Sequence, residues 1–272
     1  MGFHHGFGVP MQDIQQIIDT AHEMADAARQ VILPLFRTRD IETENKRPAD
    51  FDPVTQADRA AERVMREVLA RRRPQDAILG EEFGESQGNS GLTWILDPID
   101  GTRAFISGAP SWGVLIGLSD GNGIRYGLID QPYIGERFEG GFGISRLRTR
   151  NQEHPLSVRT GHELSHATLM TTFPEIGTPD EAAAFQRVSR QVRLTRYGLD
   201  CYAYALLALG QIDLVIEAGL QSYDIAGPLA VVEAAGGIVT DWSGGPAAAG
   251  GQVIAAATLE LHRAAMALLL NE

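Results

Sequence analysis

Apolar residues recur at Ile14, Ile17, Ile18, Ala21, Ala25, Ala28 and Ile32. This i, i+3, i+4 spacing predicts a helix that buries one face against a sheet. Pro34 is expected to kink or end it. Residues 37–52 are polar and charged without periodicity and read as a loop. Ala61, Val64, Met65, Val68 and Leu69 then share one face of a second helix, with Arg71, Arg72 and Arg73 at the negative end of its dipole. From Ala77 the pattern changes to short apolar runs bounded by turn residues, which predicts strands over 93–96, 113–118, 124–129 and 137–142. Between two of these lies Asp120-Gly121-Asn122-Gly123, a hairpin turn whose residues tolerate positive φ.

Beyond residue 153 the rhythm becomes alternating. Strands are expected over 167–171, near Val192, and over 213–217, 238–240 and 253–256. Helices are expected from Asp180, and over 201–209, 224–235 and 259–270, with Gly236-Gly237 as a stop. The chain therefore divides into an α+β half, 10–152, and an α/β half, 153–272. No internal repeat is visible.

Composition narrows the class. Of 272 residues, 44% are hydrophobic and 21% charged, which is the make-up of a folded globular chain rather than a disordered one. Lys and Arg number 23 against 35 Asp and Glu, a net charge of −12, which argues against a nucleic-acid partner. The cationic groups at Arg71–Arg73 and at Arg146, Arg148 and Arg150 are short enough to be solvated faces. No apolar stretch approaches a membrane span, and the first residues lack a charged segment followed by an apolar core. A single cysteine, Cys201, excludes an intramolecular disulfide and a Cys-rich zinc site. The expectation is a soluble, cytoplasmic protein.

The densest chemical signal is Trp94-Ile-Leu-Asp97-Pro98-Ile99-Asp100-Gly101-Thr102. In a straight strand Asp97 and Asp100 point to opposite faces. Pro98 is read as turning the chain so that both carboxylates and the Ile99 carbonyl converge, with Gly101 exposing amides beside them. Oxygen-only ligation favours Mg²⁺ over zinc or copper. Taken alone, the same spelling fits a β-turn. Of Glu81 and Glu82 only one can face a given site. Asp224 stands before a helix with Pro228 in its first turn, which suits an N-cap. Thr55-Gln-Ala-Asp58 spells a capping box. Asp200 could cap the helix near Cys201, and Glu217 could simply end a strand. His162-Glu163-Leu164-Ser165-His166 matches the spelling of zinc proteases, but the strands expected on either side, over 155–158 and 167–171, leave barely one helical turn for it.

Taken in order, Asp52-Pro-Val-Thr-Gln-Ala-Asp58, Gly80-Glu81-Glu82, Asp97-Pro-Ile-Asp100-Gly-Thr102 and Tyr223-Asp224-Ile-Ala-Gly-Pro228 resemble the inositol-monophosphatase family. Gly101-Thr-Arg-Ala-Phe-Ile-Ser-Gly108 and Arg196-Tyr-Gly-Leu-Asp200-Cys-Tyr-Ala-Tyr-Ala205 look most like its histidinol-phosphate phosphatases. Tyr223 departs from the Trp that many members carry before this aspartate. The resemblance implies a layered αβαβα sandwich and Mg²⁺-dependent hydrolysis of a small phosphomonoester, with about two to three ions per site. It implies that Glu81, Asp97 and the Ile99 carbonyl hold one metal, and that Asp97, Asp100 and Asp224 hold a second. Glu81 and Thr102 would orient the attacking water, Asp58 would act near the metals through water, and the Gly101 and Thr102 amides would bind phosphate. Asp200, Glu217 and Arg196 would contact the substrate, the two carboxylates favouring a cationic alcohol such as histidinol. Inositol 1-phosphate, or a broad set of phosphomonoesters, is the alternative. A binding or regulatory role on the same fold is a third reading, against which the intact acidic set argues. The resemblance also suggests a homodimer.

Overall fold

The computed structural model describes residues 11–38, 43–45 and 53–271. The first ten residues, and most of the loop expected over 37–52 including Asp52, lie outside the described residues. Helix α1 (Met11–Ile32) ends two residues before Pro34, and Ile17, Ile18, Ala21, Ala25, Ala28 and Ile32 are all buried. Two short strands, β1 (Thr43–Asn45) and β2 (Pro53–Thr55), pair antiparallel and lead into α2 (Gln56–Arg72). The capping box holds. The Thr55 hydroxyl accepts from the Ala57 amide, and the Asp58 carboxylate accepts from the Thr55 amide at 2.9 Å.

The strand-rich segment comprises β3 (Ala77–Gly80), β4 (Gly84–Ser86), β5 (Thr93–Asp100), β6 (Gly113–Ser119), β7 (Ile124–Gln131), β8 (Glu136–Gly141), β9 (Ile144–Arg148) and β10 (Glu153–Pro155), with α3 (Thr102–Ser107) after β5. These form one sheet in the order β10-β9-β8-β7-β6-β5-β3-β4, antiparallel except for β3 against β5. The short pieces β4, β9 and α3 go beyond what periodicity predicts, because each is too brief to show a period, while the strand expected over 155–158 is found at Glu153–Pro155.

The remainder comprises β11 (Thr168–Thr171), α4 (Pro179–Ser189), β12 (Leu194–Tyr197), α5 (Tyr202–Ala208), β13 (Leu214–Leu220), α6 (Ser222–Ala234), β14 (Ile238–Thr240), β15 (Gly251–Ala256) and α7 (Leu259–Leu270). Its five strands run β12-β11-β13-β15-β14, with β11 parallel to both neighbours and the rest antiparallel. Helices α1 and α2 cover one face of the larger sheet, α5 and α6 lie between the sheets, and α4 and α7 cover the outside of the smaller sheet. The result is the αβαβα layering. Among the described residues, no helix is long and apolar enough to cross a membrane.

Two devices lock the layers. First, Gly117, Gly127 and Gly140 stand side by side across β6, β7 and β8. A methyl group built on Gly117 would lie 2.6 Å from the Ala226 Cβ, and one on Gly127 would lie 2.8 Å from the Ala230 Cβ. The absence of side chains there lets α6 settle directly onto the sheet backbone. Second, α1 is tied to the opposite face by ion pairs. Arg29 and Arg137 both meet Asp130, while Arg137 also meets Asp26. Arg137 lies 2.9 Å from His22 Nδ1 and can only donate, so that nitrogen accepts and Nε2 donates to Glu139 at 3.2 Å.

Candidate active site

Strand β5 runs on through Pro98 to Asp100 rather than turning away at the proline, which departs from the expected geometry. Asp97 pairs with Leu115 and Asp100 with Gly113, so three steps on β5 match two on β6. The extra residue is a β-bulge, and it cancels the alternation that would have sent the two carboxylates to opposite faces. The Asp97 carboxylate also accepts from the Ile99 amide at 3.0 Å, fixing the bulge from within.

Asp224 arrives from the other side. It sits in the first turn of α6, not before the helix, and its carboxylate accepts from the Gln221 amide at 2.7 Å. Pro228 lies inside α6 rather than in its first turn. One oxygen from each of Asp97, Asp100 and Asp224 falls within 4.8 Å of the others. Glu81, just beyond β3, acts on Asp97 through its charge. The carboxylate of its neighbour Glu82 lies 3.9 Å from Arg59 on α2. Burial, Glu81, Asp100 and Asp224 together push the Asp97 carboxyl well above the usual carboxylate range. Burial, Asp200 and Asp224 do the same to Asp100, partly opposed by the Cys201 amide, which donates to it at 2.6 Å. Asp100, not Asp200, thus takes the amide at the start of α5.

Around this carboxylate group the other expected residues are ordered by backbone geometry. Asp58 is buried; one oxygen completes the α2 cap and the other faces the Thr102 hydroxyl at 3.4 Å. That hydroxyl also lies 3.2 Å from the Ile99 carbonyl. Gly101 adopts φ +83°, and a Cβ there would lie 2.8 Å from the Asp200 Cγ, so glycine is needed both for the turn and for this approach. Asp200 itself has φ +48° and accepts from the Ser111 hydroxyl at 2.9 Å. Burial pushes its carboxyl up, opposed by that bond and by the charge of Arg103.

Asp100, Gly101, Thr102, Asp200, Glu217 and Asp224 all line one cleft of about 260 Å³. Glu217, on β13, is buried and accepts from the Thr171 hydroxyl at 3.1 Å and from the Thr172 amide and hydroxyl at 2.7 and 2.9 Å. Burial still pushes its carboxyl up to about 7. Arg196 is not brought to this cleft. It is exposed on β12, the edge strand of the smaller sheet. Nor does the His162–His166 segment form a helix with two facing histidines. His162 lies 3.1 Å from Asp213, and residues Leu164–His166 make a single 3₁₀ turn.

The sequence reading missed several members of the site. Thr172 holds Glu217, and Arg103 stacks over Phe173 at 4.9 Å on the cleft wall. Glu62 is fully buried and accepts from the Glu82 and Phe83 amides, holding the turn that presents Glu81. A glutamate one residue from Ala61 on the buried side of α2 was the available signal, since an unpaired buried carboxylate is costly.

The chain matches the model of the inositol monophosphatase family over residues 13–272. It is 40% identical over 235 residues to the bifunctional phosphatase IMPL2, chloroplastic, of Arabidopsis thaliana, covering 85% of this chain and 66% of that protein. It is 34% identical to a histidinol-phosphatase of Streptomyces coelicolor, covering 93% of this chain and 96% of that protein. A solved inositol monophosphatase from Zymomonas mobilis superposes with a TM-score of 0.82 at 38% identity, covering 96% of this chain and 100% of that one.

Proposed function

This chain belongs to the inositol monophosphatase family of metal-dependent phosphatases, and we propose that within it the substrate is L-histidinol phosphate. The observation that carries the reading is the placing of two kinds of carboxylate in one cleft. Asp97, Asp100 and Asp224 converge on a point suited to a hard cation, and two of them, Asp100 and Asp224, share the cleft wall with Asp200 and Glu217.

The donor set fits Mg²⁺. It consists of carboxylate oxygens, and burial together with mutual repulsion raises the affinity of Asp97 and Asp100 for protons, an instability that a divalent cation relieves. Glu81, Asp97 and the Ile99 carbonyl would hold one ion, and Asp97, Asp100 and Asp224 a second. Bound Mg²⁺ supplies Lewis-acid charge that eases deprotonation of water and stabilises the departing oxygen. Glu81 and Thr102 orient the attacking water. The Thr102 hydroxyl is already confined between Asp58 and the Ile99 carbonyl. The Gly101 and Thr102 amides receive phosphate oxygens. Asp200 and Glu217 pair with the ammonium or imidazolium of histidinol, and Arg103 offsets part of the Asp200 charge until the substrate arrives. Arg196 has no part in this reading.

Phosphate release from L-histidinol phosphate and inositol 1-phosphate, each with Mg²⁺ and with chelator, tests the proposal. Chelator-sensitive preference for histidinol phosphate is expected. Preference for inositol phosphate, the reading that the Zymomonas relative favours, would keep the metal site and overturn the substrate.

A further inference from the structure

Tyr204 lies on α5 and is 3% exposed. Its hydroxyl has no hydrogen-bond partner among the described residues. Other tyrosines are satisfied: the buried Tyr126 donates to Glu139 at 2.8 Å and the half-buried Tyr202 to Glu136 at 2.7 Å. Burying a phenol hydroxyl unpaired forfeits its bonds to water without replacement. Such a cost in a native chain calls for a reason. Two other buried polar atoms share this state, Trp112 Nε1 and Arg148 Nε. The Trp112 ring packs among Phe36 and Phe105, and Arg148 keeps ionic contact with Glu139 and Glu153. Neither lines the active-site cleft, whereas Tyr204 does.

Tyr204 shares the cleft wall with the metal-side carboxylates Asp100 and Asp224 and with Glu217, whose oxygens accept from Thr171 and Thr172. A substrate phosphorylated at the metal end would extend its alcohol portion past this point.

We propose that Tyr204 is a specificity-determining residue whose hydroxyl hydrogen-bonds a polar N–H or O–H group on the leaving alcohol, next to Glu217. It selects phosphomonoesters that carry such a group over those of plain alkyl alcohols. The idea rests on the phosphatase reading but not on which polar alcohol is the substrate. A phenol both donates and accepts, so it serves an ammonium, an imidazole or a hydroxyl.

The test compares the wild type with Tyr204→Phe, which keeps the ring and removes only the unpaired oxygen. The substrates are L-histidinol phosphate, inositol 1-phosphate and n-propyl phosphate, whose alcohol offers no polar group. For whichever polar substrate the wild type prefers, kcat/KM should fall about tenfold or more. For n-propyl phosphate it should stay within about twofold, and the inhibition constant of inorganic phosphate should not change. The thermal midpoint without ligand should hold or rise, because no protein hydrogen bond is lost. An equal fall for all three substrates, or a lower midpoint, would assign Tyr204 to the metal site or to packing and overturn the proposal. An unchanged kcat/KM for the polar substrate would overturn it too. The wild-type preference between the two polar substrates decides the histidinol reading separately.

Discussion

Replacing Gly127 by alanine probes how the metal-side carboxylates are brought together. Gly127 has no left-handed backbone, so alanine meets no conformational obstacle in β7. The obstacle is space. The new methyl would lie 2.8 Å from the Ala230 Cβ, with the Gly227 carbonyl nearer still. An ordinary carbon–carbon contact is about 3.8 Å, so α6 must lift by about 1 Å. Overpacking of this kind costs about 1–3 kcal/mol, or about 5 °C in thermal midpoint for a chain of this size. Asp224 rides on the first turn of the same helix, within 4.8 Å of Asp97 and Asp100. A misplacement of about 1 Å at such a site costs about 10²-fold in rate. The assay is a thermal melt together with phosphate release across an Mg²⁺ titration. Half-maximal activity should move to higher Mg²⁺ in Gly127→Ala. Gly123→Ala is the control, since nothing lies within 4 Å of the built methyl. A variant with a lowered midpoint but unaltered rate and Mg²⁺ dependence would refute the claim that the glycine row sets the position of Asp224.

Two further predictions concern pH. Burial works to raise the Glu139 carboxyl, but hydrogen bonds from His22, Arg146 and Tyr126 outweigh it and hold the value at about 2, against an ordinary 4.5. The folded value is depressed, so its stabilisation is present above 4.5 and lost as pH falls toward 2; the difference is worth at most about 3 kcal/mol. Urea midpoints of wild type and Glu139→Gln should therefore differ at pH 6, approach one another as pH falls, and converge only below about pH 2; a constant gap would show that the charge is not what matters. Glu217, pushed up to about 7 by burial, becomes charged only as pH rises through that value. KM for histidinol phosphate should fall across that window in the wild type and vary less in Glu217→Gln, and parallel profiles would remove Glu217 as a cation-binding group.

Much of the fold was legible because it depends on local patterns. The apolar stripe from Ile14 to Ile32 and the residues from Leu259 to Leu270 carry helical character in their own spacing, and both helices end where turn or proline chemistry requires. The Thr55–Asp58 cap was visible for the same reason: its bonds join residues at most three apart. The short strands β4 and β9 were not, since their stability comes from a neighbouring strand.

The carboxylate-rich motifs, their order and the chemistry of hard-cation binding could be read from the chain alone, because side-chain type decides what a group ligates. Their convergence could not. Asp97 and Asp100 share a side through a bulge defined only by pairing with β6. Asp224 reaches them through three strand glycines whose role appears only when α6 lies on top. Asp200 is held by Ser111, 89 residues away, and Arg196, although in the same motif, faces solvent from an edge strand. The unpaired hydroxyl of Tyr204 likewise has meaning only in the assembled cleft. Sequence determined which groups were available. Tertiary packing decided which of them share one volume, because burial and mutual distance are properties of the folded layers and of no segment by itself.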